Sequence, residues 1–249
     1  IIIVTNLVTD GPIMLAAMDM ETSAKVGIIG GEPVPITDVP YMASLRLNRN
    51  FHWCGASIVH EKFVLTAAHC IVPNRKYTVA VGTDNIGKGA LYDVEKIIPH
   101  QRYTNVTHDF DICLVKLAKE LTFGPNVSKI QVADLKTKLK PGMRFNATGW
   151  GYTQPNGNVS SVLRQVSVPF VKRRECQAYY LLNRLTGRMF CAGEDGKDTC
   201  TADSGGPLVK NQIQVGITSF GLRCGNGPAV YTKISVIEPW IRHTIARNI

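Results

Sequence analysis

Several things are missing from this chain, and each absence narrows its class. No apolar run approaches the roughly 18 residues of a membrane-crossing helix. No cysteine pair is spaced C-x-x-C, and no His/Cys cluster has zinc-ligand spacing, so the sequence suggests neither a zinc-ribbon nor a thioredoxin-like centre. Charged residues are sparse at 19%, while hydrophobic residues reach 45% over 249 positions, which excludes a disordered chain. Acidic residues are the scarcer sign, 19 against 28 basic, for a net charge of +9. That excess permits anionic glycans as partners, but no aromatic residues interleave with the basic runs in a stacking pattern, so no nucleic-acid partner is expected. The first residues, Ile1-Ile2-Ile3-Val4, carry no basic leader, and Asp10, Asp19 and Glu21 interrupt any apolar stretch. Residues 1–27 therefore read as a pro-segment or a residual signal and propeptide.

Seven cysteines are present, and disulfides in an oxidising compartment are their simplest use. Four N-x-S/T sequons, at Asn105, Asn126, Asn146 and Asn158, fit the same setting. Short runs rich in Val, Ile, Tyr and Thr recur between Gly, Pro and Asn turns: Tyr41–Leu47, Phe63–Thr66, Tyr77–Val81, Ile112–Leu117, Val166–Val171 and Ile213–Ser219. Such a pattern predicts an all-β sandwich or barrels. The strongest helix signal comes last. Val236, Ile237, Trp240, Ile241 and Ile245 share one face, with Ser235 and Glu238 spaced as a capping box. A weaker helix is expected over 173–183, and the basic stretch Lys136–Pro141 is the candidate connection between halves.

Three segments carry chemistry together: Leu65-Thr66-Ala67-Ala68-His69-Cys70, Asp109-Phe110-Asp111-Ile112-Cys113-Leu114, and Asp198-Thr199-Cys200-Thr201-Ala202-Asp203-Ser204-Gly205-Gly206-Pro207. A serine hydroxyl needs a base to take its proton, and that base needs an orienting carboxylate. His69, Asp111 and Ser204 supply these chemical types, although Asp109 competes for the carboxylate role. His52, His60, His100, His108 and His243 stand in no ligand spacing and read as surface or packing residues.

With Ile28-Ile29-Gly30-Gly31, Gly149-Trp150-Gly151 and Val230-Tyr231-Thr232-Lys233 in the same order along the chain, the sequence resembles the trypsin/chymotrypsin-type serine proteases, closest to trypsin-like members, over residues 28–249. The resemblance implies an all-β fold of two packed six-stranded antiparallel β-barrels with a C-terminal helix, divided as 28–135 and 136–249, with His69 and Ser204 meeting between them. It selects Asp111 over Asp109, and implies His69 as general base and acid, Ser204 as nucleophile, and the backbone N–H groups of Ala202 and Ser204 as an oxyanion hole. Ser219 would support the aspartate, and Ser219-Phe220-Gly221 would pair with substrate backbone. Asp198 would floor the specificity pocket beside Thr199, with Gly221 and Ala229 as its walls, implying cleavage after Arg or Lys. Asp203 would pair with a new ammonium at Ile28 once a precursor is cut, although Gly27, not a basic residue, precedes Ile28. The implied disulfides are Cys54–Cys70, Cys176–Cys191 and Cys200–Cys224, leaving Cys113 as a buried thiol.

By the same resemblance the protein is a secreted monomer acting on protein or peptide substrates and bound by protein protease inhibitors, with no cofactor and no required metal. Two departures bear on activity. Ala202 and Ala229 stand where the family usually has glycine. They keep open a catalytically weak cationic binding protein, or a protease of chymotrypsin-like or mixed preference.

Overall fold

The computed structural model describes residues 28, 30–152, 158–180, 185–200, 202–221, 225 and 227–249. In chain order the strands are β1 (Glu32–Pro33), β2 (Met42–Leu47), β3 (Phe51–His60), β4 (Phe63–Thr66), β5 (Tyr77–Val81), β6 (Ala90–Pro99), β7 (Cys113–Leu117), β8 (Gln131–Val132), β9 (Arg144–Gly149), β10 (Arg164–Val171), β11 (Met189–Ala192), β12 (Pro207–Lys210), β13 (Ile213–Phe220) and β14 (Ala229–Lys233). Two α-helices, α1 (Arg173–Tyr179) and α2 (Glu238–Asn248), complete the set. Strands β2-β3-β4-β7-β6-β5 close into one antiparallel barrel. Strands β10-β11-β14-β13-β12-β9 close into a second through the β9–β10 pairing, with β1 and β8 added outside. Closure satisfies strand edges that an open sheet would leave unpaired.

The interior follows from the β-branched and aromatic runs. All five residues of β5 and all four of β4 are buried, and the apolar core is continuous across both barrels. Glycine lets the barrels touch. A side chain at Gly205 (φ 78°) would strike Thr66 Oγ1 and the Gly55 carbonyl, and one at Gly55 would lie 2.8 Å from the Gly206 Cα. The Gly55 N–H donates to the Ser204 carbonyl across this seam at 2.8 Å.

The expected strands all form, with ends moved by a residue or two. The terminal helix differs at its start. Ser235 lies in a 3-10 turn before α2, the N-cap is Ile237 without a side-chain cap, and Val236 points outward. The capping box therefore does not form. Pro239 sits in the first turn of α2, where no N–H is required of it. Helix α2 is tied to the first barrel, with Trp240 Nε1 donating to Gln101 Oε1 at 3.0 Å and its ring against His100. The weaker helix forms over α1, and its expected continuation into residues 181–183 lies outside the described residues.

Candidate active site

Register explains why two distant sequence segments meet. Strands β4 and β7 are antiparallel, and their last pair is Thr66 with Cys113. The chain leaves β4 toward His69 and enters β7 from Asp111, so both residues occupy the same end of the barrel. There the His69 Nδ1–H donates to Asp111 Oδ2 at 2.7 Å, and the His69 backbone N–H donates to Oδ1 at 2.9 Å. The second barrel adds Ser219 Oγ, donating to Oδ2 at 2.6 Å, and Thr232 Oγ1, donating to the Asp111 carbonyl. Burial opposes ionisation of Asp111, which is fully buried. The neighbouring His108, His69 and Ser219 outweigh it and hold the carboxyl well below its usual range. With a proton on Nδ1, the free lone pair of His69 is on Nε2.

Asp109 is engaged elsewhere. Its carboxylate receives Arg188 Nε at 3.0 Å and Thr186 Oγ1 at 2.8 Å, and Arg188 closes a second contact on Oδ2. It ties the loop before β7 to the second barrel.

Ser204 lies three residues before β12, in a bend whose carbonyls and amides are pinned by Gly55, Thr218 and Asp203. With His69 and Ala202 it lines a cleft of about 340 Å³ that also includes His52, Tyr152 and Asn158. Among the described residues no hydrogen bond joins Ser204 Oγ to His69 Nε2, a gap common before substrate closes a catalytic site. Ala202 sits at φ 73°, the left-handed region where a β-carbon costs about 1–2 kcal/mol. The backbone N–H groups of Ala202 and Ser204 have no internal acceptor among the described residues, which leaves both free for a ligand oxygen.

The sequence reading missed what holds this strained turn. His52 is buried, donates from Nε2 to the Ala202 carbonyl at 3.0 Å, and accepts from Ser44 Oγ at Nδ1. Burial pushes its pKa down to about 4, with Arg46 adding to the effect against the Ala202 bond, so the ring stays neutral. No spacing marks His52 in the sequence, because its partners lie 8 and 150 residues away. His108 is partly buried and packs beside the His69–Asp111 pair. Its ring stands edge-on to His69, with centroids 5.7 Å apart.

Asp198 is buried and accepts from the Thr199 N–H at 2.8 Å and the Gly225 N–H at 3.3 Å. Desolvation, with a smaller push from Asp203, raises its pKa to about 7. Gly221 and Ala229 face one another nearby, since a β-carbon at Gly221 would meet the Ala229 methyl at 4.0 Å. Thr199 is buried against Tyr231. Asp203 is buried too, accepting from Gly151 and Cys200 N–H groups, and burial raises it to about 7. Side chains at Gly149 or Gly151 would collide with its carboxylate, which explains the glycines flanking Trp150. Ile28 is fully buried, and no ion pair to Asp203 exists among the described residues.

Disulfides Cys54–Cys70 and Cys176–Cys191 form, and each contributes about 2–4 kcal/mol. Cys200 is disulfide-bonded as well, while its expected partner Cys224 lies outside the described residues. Cys113 is a free buried thiol, which burial makes still harder to ionise.

The trypsin family model matches residues 28–241. Trypsin 5G1 of Aedes aegypti is 36% identical over 222 residues, covering 86% of this chain and 84% of that protein. The vitellin-degrading protease of Bombyx mori is 37% identical over 240 residues, covering 93% and 90%. A trypsin of Phaedon cochleariae is 35% identical, covering 89% and 90%. Among solved structures, neuropsin, a serine protease expressed in the limbic system of mouse brain, superposes with a TM-score of 0.80 at 34% identity, covering 86% of this chain and 98% of that one. Two closed barrels, a buried aspartate behind a cleft histidine, and this run of relatives agree: the chain belongs to the trypsin family of serine proteases.

Proposed function

We propose that the protein is a secreted endopeptidase that hydrolyses peptide bonds after Arg or Lys and is made as a precursor activated by cleavage before Ile28. The observation that carries the specificity is Asp198. Its carboxylate is desolvated, held by two backbone N–H groups, and has no cation beside it among the described residues. A guanidinium or ammonium from substrate would complete it, whereas a neutral side chain would leave the charge unpaired. The single methyl of Ala229 narrows the slot without filling it.

In this reading His69 Nε2 takes the Ser204 proton as Oγ attacks the scissile carbonyl, then returns it to the leaving amine. Asp111 stabilises the imidazolium, and the Ala202 and Ser204 N–H groups hold the oxyanion. The substrate backbone would extend along Ser219-Phe220-Gly221. Activation would place the Ile28 ammonium on Asp203. Because Gly27 precedes Ile28, the activating protease would differ from trypsin, or would cut after Lys25 with Val26-Gly27 trimmed later. The halves 28–135 and 136–249 would fold around one cleft each side of the basic connection. The disulfides support secretion, and the four sequon asparagines are exposed, as glycan attachment requires. No helix among the described residues is long and apolar enough to cross a membrane.

Paired Arg and Phe peptide amides test the reading directly. Arg should be favoured, and Ala229→Gly should raise kcat/KM on Arg by about 5- to 100-fold. Equal turnover of both substrates would overturn the assignment of Asp198. The strained Ala202 favours a second reading, a weakly active or silent cationic protein. Absence of fluorophosphonate labelling at Ser204 in the cleaved chain would establish it.

A further inference from the structure

We propose that Arg46 is a positioning residue for the oxyanion hole, acting through Ser44 and His52 on the Ala202 turn. Arg46 is 3% exposed, and no carboxylate pairs with it among the described residues. A buried cation without a counter-ion is costly unless hydrogen-bond acceptors surround it. Here Nη2 donates to the Ile86 and Lys88 carbonyls, both at 2.6 Å, and Nε donates to Ser44 Oγ at 3.3 Å.

This anchor is fixed from the second barrel. The loop carrying Ile86 and Lys88 is held there by the Ile86 N–H, which donates to the Ser161 carbonyl at 3.0 Å. The Leu163 N–H and Trp150 Nε1 both donate to the Asp84 carbonyl of the same loop. On the barrel side, the pairing of β2 with β3 shifts register between Leu45 and Arg46, which sets Arg46 opposite His52. The guanidinium therefore bridges a loop held from outside and the histidine that supports Ala202.

Donor and acceptor types then fix the protons. The Ala202 carbonyl can only accept, so His52 Nε2 carries a hydrogen at that 3.0 Å contact. A guanidinium can only donate, so Ser44 Oγ accepts from Arg46, which polarises its O–H toward His52 Nδ1 at 2.7 Å. A second proton on His52 would set an imidazolium beside the guanidinium, with two cationic donors on one hydroxyl oxygen. The ring is thus kept neutral and held at both nitrogens. Ala202 needs that hold more than a glycine would. Its φ of 73° is costly for a β-carbon, and rotation about this bond carries its N–H out of the hole. Removing Arg46 loosens the pin on the Ala202 carbonyl and lets the turn relax.

The catalytic consequence rests on the proteolytic reading above, whereas the proton arrangement does not, so two measurements separate them. In the full chain carrying Ser204→Ala, heteronuclear NMR should show His52 as a neutral ring with a slowly exchanging Nε2–H, assigned by its loss in His52→Gln. Arg46→Met should broaden or abolish that signal. On the chain cleaved before Ile28, Arg46→Met should lower kcat for an Arg peptide amide by about tenfold or more with KM little moved, because an oxyanion donor acts in the transition state. Ser44→Ala leaves Arg46 on its carbonyls and should lose as much, which keeps the test open if Arg46→Met does not fold. In an Ala202→Gly background each loss should shrink to under about threefold, since glycine holds the left-handed turn unaided. A purely structural role would cost the same in both backgrounds. A ring protonated on Nδ1, an Nε2–H signal indifferent to Arg46→Met, or equal losses in the two backgrounds would overturn the proposal. Inactivity of the cleaved chain on every amide would instead overturn the proteolytic reading, and the NMR result would still decide whether Arg46 sets the His52 proton.

Discussion

The two barrels meet at one cleft but prepare their contributions differently. On the first-barrel side the histidine and its aspartate form a closed arrangement. The Asp111 carboxylate has the His69 ring and backbone N–H, Ser219 and His108 around it, and it stays ionised although fully buried. On the second-barrel side Asp198 and Asp203 are buried with only backbone N–H donors among the described residues, and burial raises both to about 7. One half is electrostatically complete within the molecule. Under the proposed function the other would be completed by positive charge, from a substrate side chain for Asp198 and from a new amino terminus for Asp203. On the proposed function, this difference would put the base in place in advance and leave the specificity and nucleophile loops conditional.

The largest effect should come from breaking the complete half. Asp111→Asn should lower kcat about 10⁴-fold with KM little moved, because the amide favours the wrong imidazole tautomer. A fall of less than tenfold would mean that His69 is held by something else. Emptying the conditional half should cost somewhat less and be selective. Asp198→Ser should lower kcat/KM for an Arg amide about 10³-fold while leaving a Phe amide nearly unaffected.

The Asp203 side sharpens the contrast through pH. Its carboxyl ionises at about 7 in the folded chain, against about 4 when unfolded. A raised carboxylate pKa favours folding at low pH, where both states are protonated, and the advantage is lost as pH rises through 7. An ammonium at Ile28 would remove that loss. In a Ser204→Ala background, the chain cleaved before Ile28 should therefore melt higher than the intact chain, by a margin that grows from pH 4 to 7 and then levels. Asp198 titrates in both forms and cancels. A margin independent of pH would exclude Asp203 as the partner. The smallest effect concerns the strained turn. Ala202→Gly should stabilise the fold by about 1 kcal/mol, read as a higher denaturant midpoint at unchanged slope.

Much of this architecture was legible in the chain itself. Phe63–Thr66 and Tyr77–Val81 were bounded to the residue, because short β-branched and aromatic runs between turn residues are local signals. The Ser235–Glu238 pair misled, since tertiary packing drew Ser235 into a 3-10 turn and helix α2 began later. Residue type alone left Asp109 as a rival to Asp111 and only the family resemblance selected between them; what Asp109 does instead, engaging Arg188 and Thr186 nearly 80 residues away, no local pattern signals.

Residue identity and order were enough to determine the family, the strand pattern, and the chemical types available for acyl transfer, since each depends on neighbours along the chain. Only the folded molecule decided the sign of φ at Ala202, the support of that turn by His52, and the approach of His108 to Asp111. Those features depend on barrel closure and on contacts between segments up to 150 residues apart, whose geometry no local pattern encodes.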